Sequence, residues 1–449
     1  MHRLLVANRG EIACRIIRAA HAVGIPAVAV HSEADADLPH VAMADQAICL
    51  GPAPARQSYL DVDRLLAAAA ETGCTMVHPG YGFLSENAGF ARACAAAGLI
   101  FVGPVADHIE LMGDKQNARD AAIAAGVPVL PGTGRLGEDE GEILAAGGRI
   151  GYPLLVKAVA GGGGHGMQRV ETEAKLLATV ARTRDFAARV FGDGGLYLER
   201  CLTRARHVEV QVFGFGAQGA VHLFERDCSL QRRHQKVIEE APAPGLSAKV
   251  RAAMTEAAVS LARSINYSGA GTIEYLYDPE TEGFYFLEMN TRIQVEHPVT
   301  EEITGVDLVA AQLRLAMAPE TPPMLTQDDI RSTGAAMEAR VYAENPDKRF
   351  LPSPGRIEGL HLPEMPGVRY EAGYVAGNEV TVHYDPLMLK IIAKGSDREE
   401  ARTRLIAALG AMTIAGLTTN VNFLVSLLER ADVVACDFDT GTIERPAAA

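Results

Sequence analysis

An α/β protein of roughly three domains is the fold class the sequence predicts, and three observations carry that expectation. The 449 residues exceed what one hydrophobic core normally serves. Over about the first hundred, short apolar segments alternate with alanine-rich stretches, the rhythm of parallel strands joined by crossover helices. Later the pattern changes to longer strand-like runs in which polar and apolar residues alternate, as in HVEVQVF and EMNTRIQVE.

Leu4 to Ala7, Ala27 to His31, Ala47 to Leu50, Met76 to His78 and Ile100 to Val102 read as the parallel strands. Helices are expected near Pro104 to Met112 and Lys115 to Ala125, after which Pro128 and Pro131 break the pattern. From about Gly132 to Cys201 runs a glycine-rich segment with strands and helices of its own, read as a small lid domain. HVEVQVF, the turn GFGAQG and AVHLFE make a hairpin. Prolines at 319–323 and 352–354 punctuate the C-terminal third, which closes with strand-like and helical segments.

Composition excludes several classes of function. Hydrophobic content of 48% with 22% charged residues is that of a soluble globular protein. With 42 Lys and Arg against 56 Asp and Glu, the net charge of −14 argues against a nucleic-acid surface. Locally the balance reverses, because Arg200, Arg204, Arg206, Arg226, Arg232, Arg233 and Lys236 crowd one stretch. That stretch reads either as the site of a small anion or as an exposed hairpin. Seven cysteines without C-x-x-C spacing read as free thiols, mostly core fillers, in a reducing compartment. No apolar run reaches membrane-spanning length and no leader pattern opens the chain, so a cytoplasmic location without a membrane partner is expected.

Glu288, Asn290, Arg292, Gln294 and Glu296 occupy alternate positions in EMNTRIQVEHP, which on an extended strand would place all five on one face. Glu and Asn oxygens suit a hard cation, an Arg fork suits a planar oxyanion, and a carboxylate beside it can act as a base. An amphipathic edge strand with a solvated face would show the same alternation. Three segments match G-x-G-x-x-G, but none has the strand-turn-helix context of a dinucleotide site, and no Walker A pattern occurs. Lys157 before Gly161 to Gly164 offers another way to hold a nucleotide, since consecutive glycines let backbone amides approach phosphate oxygens. Lys115 taken alone reads as an exposed helix lysine. His207, Glu209 and Gln211 share one face of HVEVQVF, directed at a nucleotide or at solvent. ERDCSLQRRHQKVIEEAPAP has too many charges and amides for a core, and reads as a substrate loop or plain surface.

NRGEIACRI, HPGYGFLSEN, the glycine loop after Lys157, ERDCSLQRRHQK and EMNTRIQVEHPVTE together resemble a biotin carboxylase of the ATP-grasp superfamily, from Leu4 to about Glu444. The resemblance implies a Rossmann-like N-terminal domain (1–113), an ATP-grasp domain (114–328) with a small mobile lid (about 132–203), and a C-terminal α+β portion (329–445). It implies that Lys115 and Lys157 contact ATP phosphates under a lid that includes Gly162, Gly163 and Gly164. Glu199 and Leu202 would sit at the adenine, with His207, Gln231 and His234 lining the nucleotide pocket. Glu274, Glu288 and Asn290 would carry magnesium or manganese, plausibly two ions. Lys236, Arg292, Gln294 and Val295 would hold bicarbonate, Glu296 would be its base, and Arg340 would face the biotin ureido oxygen. Val159, Ala160 and His165 depart from the stand-alone bacterial pattern, while KAVAGGGGHGM and VHYDPLMLK look closer to acyl-CoA carboxylase α subunits, the 3-methylcrotonyl-CoA type especially. The Met-Lys-Met segment of biotin carrier domains is absent, so biotin is expected as a substrate on a separate carrier protein or domain. A carboxyltransferase subunit and a homo-oligomer are the other partners implied. Another ATP-grasp carboxylate-amine ligase and a non-catalytic subunit remain the alternatives.

Overall fold

The computed structural model describes residues 2–160, 166–233, 235–319, 321 and 323–445. Strands β1 (Leu4–Val6), β2 (Ala27–Ser32), β3 (Gln46–Gly51), β4 (Met76–His78) and β5 (Ile100–Phe101) form a parallel sheet in the order β3-β2-β1-β4-β5. Central β1 is buried on both faces, which is why Leu4, Leu5 and Val6 are all apolar. Strand order reverses between β1 and β4. The segments leaving their carboxyl ends, Asn8–Glu11 and Tyr81–Phe83, border the crevice that such a reversal opens.

The helix Lys115–Ala124 follows, capped by Asp114, whose carboxylate accepts from the Asn117 amide at 2.8 Å. Beyond it, β6 (Leu154–Ala158), β7 (Met167–Val170) and β8 (Leu196–Arg200) make an antiparallel sheet in the order β7-β6-β8. Helices Glu140–Ile150 and Leu176–Phe191 cover one face of it. Leu154, Val156 and Ala158 point into that small core, so the period of two turns Lys157 to the opposite face.

An antiparallel sheet of eight strands forms the body of the molecule. It contains β9 (Arg206–Phe215), β10 (Ala220–Arg232), β11 (Gln235–Ala241), β12 (Ser268–Asp278), β13 (Gly283–Asn290) and β14 (Ala335–Tyr342). The order is β13-β12-β9-β10-β11-β14, continued by Leu387–Gly395 and then Val368–Ala372, so one ladder crosses residue 328 without interruption.

Two sequence expectations are corrected here. The segment from Glu225 to Glu240 is neither loop nor surface over most of its length, because β10 and β11 lie in the middle of this sheet. Glu225, Arg226, Asp227, Glu239 and Glu240 are buried, each with a partner: Arg251, Glu209, Arg206, Arg340 and Arg398 respectively. Opposite charges neutralise one another inside the fold, a pairing that composition does not reveal. The alternating run also fails as a strand. β13 stops at Asn290, Arg292 to Val295 are irregular, and Glu296 is the N-cap of the helix His297–Thr304. Pro298 suits a first helical turn, because it has no amide hydrogen to leave unpaired.

Candidate active site

A cavity of about 1270 Å³ opens between the sheet β7-β6-β8, the eight-stranded sheet and the loops after β1 and β4. Lys115, Lys157, Glu199, Leu202, His207 and Gln231 line it, as do Lys236, Glu274, Glu288, Asn290, Arg292, Gln294, Val295, Glu296 and Arg340. Gly162, Gly163, Gly164 and His234, also expected at the site, lie outside the described residues, as does His165.

Lys236 is the hub. Its Nζ donates to Glu209 Oε2 at 2.6 Å, Glu296 Oε1 at 2.6 Å and Glu274 Oε1 at 2.9 Å. Burial alone would lower its proton affinity, yet the surrounding anions hold it well above the ordinary lysine value. Glu296 shows the reciprocal effect: burial pushes its carboxyl up, but Lys236, Arg340 and Arg226 pull it well below the carboxylate range. Arg340 donates to Glu296 Oε2 at 3.0 Å and lies 2.5 Å from Glu239. Behind them, fully buried Arg226 bonds Glu209, Gln211, Thr272 and Thr300, fixing the strand faces that carry the hub.

Arg292 reaches the same place by a different route. Its guanidinium donates to Asn290 Oδ1, Gln294 Oε1 and Glu86 Oε2, each at 2.9 Å. Five polar residues therefore converge because the chain bends around Glu274 and Arg292. Asn290 and Gln294 donate to Glu274 Oε1 at 2.9 and 3.2 Å.

Glu274 and Glu288 stand directly opposite on β12 and β13. The ladder slips by one residue beside this pair, leaving Leu287 as a bulge, and Leu287 and Glu288 both border the cavity. Glu288 is open to cavity solvent, but enclosure and the Glu274 charge raise its carboxyl above the usual value. Like charges facing one another across a ladder destabilise it unless a cation joins them. With the Asn290 oxygen alongside, this all-oxygen donor set fits magnesium or manganese. His207 Nε2 lies 2.9 Å from Glu274 Oε2. Burial would lower the His207 proton affinity, and Glu274 more than offsets it.

At the lid side, Lys157 Nζ donates to Glu199 Oε1 at 2.5 Å, and burial is outweighed by Glu199 and Tyr197 in raising its proton affinity. Leu202 and Gln231 continue that wall, while Lys115 stands at the first turn of its helix.

Sequence reasoning gave no site role to Glu86 or Glu239, and named Glu209 and Arg226 only as members of a polar strand face and of a basic stretch. Glu209 sits on the HVEVQVF face that alternation identifies, and Glu86 lies within HPGYGFLSEN, so both left a signal. Glu239 and Arg226 left none beyond an excess of charge.

Three family models match the chain. Residues 1–109 match the family model of the biotin carboxylase N-terminal domain. Residues 114–322 match that of the carbamoyl-phosphate synthase L chain ATP-binding domain, and 338–445 that of the biotin carboxylase C-terminal domain. A biotin carboxylase of Pseudomonas aeruginosa is 49% identical over 432 residues, 96% of this chain and 95% of that one. The mitochondrial methylcrotonoyl-CoA carboxylase α subunit of Glycine max is 48% identical over 95% of this chain, which spans 58% of it. The biotin carboxylase domain of Hydrogenobacter thermophilus 2-oxoglutarate carboxylase, solved as a dimer with MgADP, ADP and bicarbonate, superposes with a TM-score of 0.89. Its identity is 42%, over 98% of this chain and 97% of that one.

Proposed function

The chain belongs to the biotin carboxylase family of ATP-grasp ligases, which carboxylate biotin in an ATP-dependent reaction, and on that premise we propose how its residues divide the work. One observation carries the reading: a single lysine bonded to three carboxylates, in a cavity that Arg292 and Arg340 also line.

In this reading Lys115 and Lys157 hold ATP phosphates, with Glu199, Leu202, His207, Gln231 and His234 around the nucleotide and Gly162, Gly163 and Gly164 above it. Glu274, Glu288 and Asn290 would hold magnesium or manganese, which would supply positive charge against the negative charge that develops during phosphoryl transfer. Lys236, Arg292, Gln294 and the Val295 segment hold bicarbonate, and Glu296 takes its proton. While Lys236 grips Glu296, that carboxylate is too weak a base for the task. Bicarbonate competes with it for Lys236, and loss of that bond removes the largest of the three cationic influences that hold the Glu296 carboxyl down. Bicarbonate oxygen then attacks the γ-phosphorus and ADP leaves, a transfer that depends mainly on alignment. The resulting carboxyphosphate splits into carbon dioxide and phosphate. Phosphate removes the ureido proton of biotin, and Arg340 stabilises the negative charge left on the ureido oxygen.

Biotin is a substrate carried by a separate protein or domain, and a carboxyltransferase partner completes the reaction on an acyl-CoA. The identity to a methylcrotonoyl-CoA carboxylase α subunit supports that acceptor class, and the dimeric neighbour supports a homo-oligomer. Among the described residues, no helix is long and apolar enough to cross a membrane. ADP release should require bicarbonate and rise with free biotin. Release indifferent to bicarbonate would overturn the assignment in favour of another ligase, and mass spectrometry of co-purified chains tests the carrier and carboxyltransferase.

A further inference from the structure

Two motifs, NRGEI and HPGYGF, line the cavity wall without a role in the chemistry above, and both lead to one buried cation. Lys390, on the strand Leu387–Gly395, has no solvent exposure. Its Nζ donates to the Val295 carbonyl oxygen at 2.6 Å and lies 3.3 Å from Glu11 Oε1. Glu11 opens the helix Gly10–Ala22 and accepts a hydrogen bond from the Tyr81 hydroxyl, in the loop after β4. Lys390 stands directly opposite Arg340 on one side and Glu371 on the other, so it shares a sheet face with the cation proposed for biotin. Gly373 brings this region against the N-terminal domain: a Cβ there would come within 2.5 Å of the Glu11 amide nitrogen.

We propose that Lys390 is a positioning residue for the bicarbonate step, one that ties the Val295 peptide to Glu11 and so holds the segment from Arg292 to Glu296 in its bent form. The segment has no ladder of its own to fix it, since it lies between the end of β13 and a helix. Its carbonyls are held individually instead, Gln294 by His297 Nδ1 at 2.7 Å and Val295 by Lys390. Glu371, Glu338, Arg340 and His297 also face Lys390, and both Glu338 carboxyl oxygens are buried without a hydrogen-bond partner. Glu11 and Glu371 lie against Lys390 as carboxyl neighbours, and its hydrogen bond to the Val295 carbonyl adds a directional tie to the bent segment that neither carboxyl supplies.

The inference rests on the bicarbonate reading of this segment, and the test separates the two. In Lys390→Met the KM for bicarbonate should rise about tenfold or more, the scale of one lost hydrogen bond from a charged group, while the KM for ATP stays within about twofold. Because that change strands Glu11 without its cation, Glu11→Gln combined with Lys390→Met provides a second folded variant, with the same outcome expected. An unchanged bicarbonate KM in both, or a parallel loss of ATP affinity, would overturn the positioning role. Arg292→Ala serves as the control. If it raises the bicarbonate KM and Lys390→Met does not, the Lys390 inference alone falls; if neither does, the bicarbonate reading falls and takes the inference with it.

Discussion

The parallel sheet around β1 and the antiparallel sheet around β10 differ in what lies on their faces: apolar residues cover both faces of the first, whereas the second has Val208, Val210 and Val212 packed on one face and paired charges on the other. Leu5, Val28, Val30 and Val77 pack the first with apolar surface alone. Within the second, Arg226 has Glu209, Gln211, Thr272 and Thr300 around it, and Lys236 has three carboxylates. An apolar core is non-directional and tolerates repacking, whereas an ionic interior holds only if every charge keeps its partner. The price of the second is a fragile sheet. Its return is a set of charges already fixed where phosphate, bicarbonate and a metal are proposed to meet.

The largest effect expected on that contrast is functional. Glu296→Ala should reduce turnover by about 10² to 10⁴ while ATP binding persists, the usual worth of a positioned base. Loss of nucleotide affinity in the same variant, read by calorimetry, would make Glu296 a structural partner of Lys236 and Arg340. Stability gives the next test. Arg226→Met should cost about 3–5 kcal/mol, because it leaves Glu209 buried without one of its cations. Adding Glu209→Gln should recover part of that loss in denaturant unfolding. By contrast Leu5→Ala, at about 2–5 kcal/mol, has no partner whose change can rescue it. Failure of the rescue would show that packing, not charge, dominates both sheets.

Arg340→Gln divides the proposed reaction in two. Carboxybiotin formation should fall by about 10² to 10³, the loss expected for one donor at a developing oxyanion. A slow bicarbonate-dependent ATPase without biotin should survive. Since Arg340 also donates to Glu296, that residual rate measures how far the two halves share this residue.

The smallest effect is a pH dependence. Burial raises Glu239 to about 7, with Arg340 opposing and Glu296 reinforcing the shift. A carboxyl raised in the folded state contributes stability that is fully present below its unfolded value, near 4.5, and is lost as pH rises through about 7. The unfolding midpoint should therefore be higher at pH 6 than at pH 8, and Glu239→Gln should shrink that difference. An unchanged difference would exclude Glu239 as its source.

Alternation and motif order in the sequence found the parallel strands of the first domain, the hairpin of β9 and β10, and fifteen of the residues that line the cavity. These were legible because each depends on a short period or a local signature. The bend after Asn290, the bulge at Leu287 and the burial of Glu225 to Glu240 were not, since each is decided by what lies across the sheet. Glu239 and Arg340 come together only because β11 and β14 are neighbours, and Arg292 meets Glu86 only because the N-terminal domain closes against the sheet. The sequence by itself determined which chemical groups the protein can bring to a site. Tertiary structure alone decided which charges neutralise which, because the Coulomb energy of a buried ion depends on neighbours that are distant along the chain.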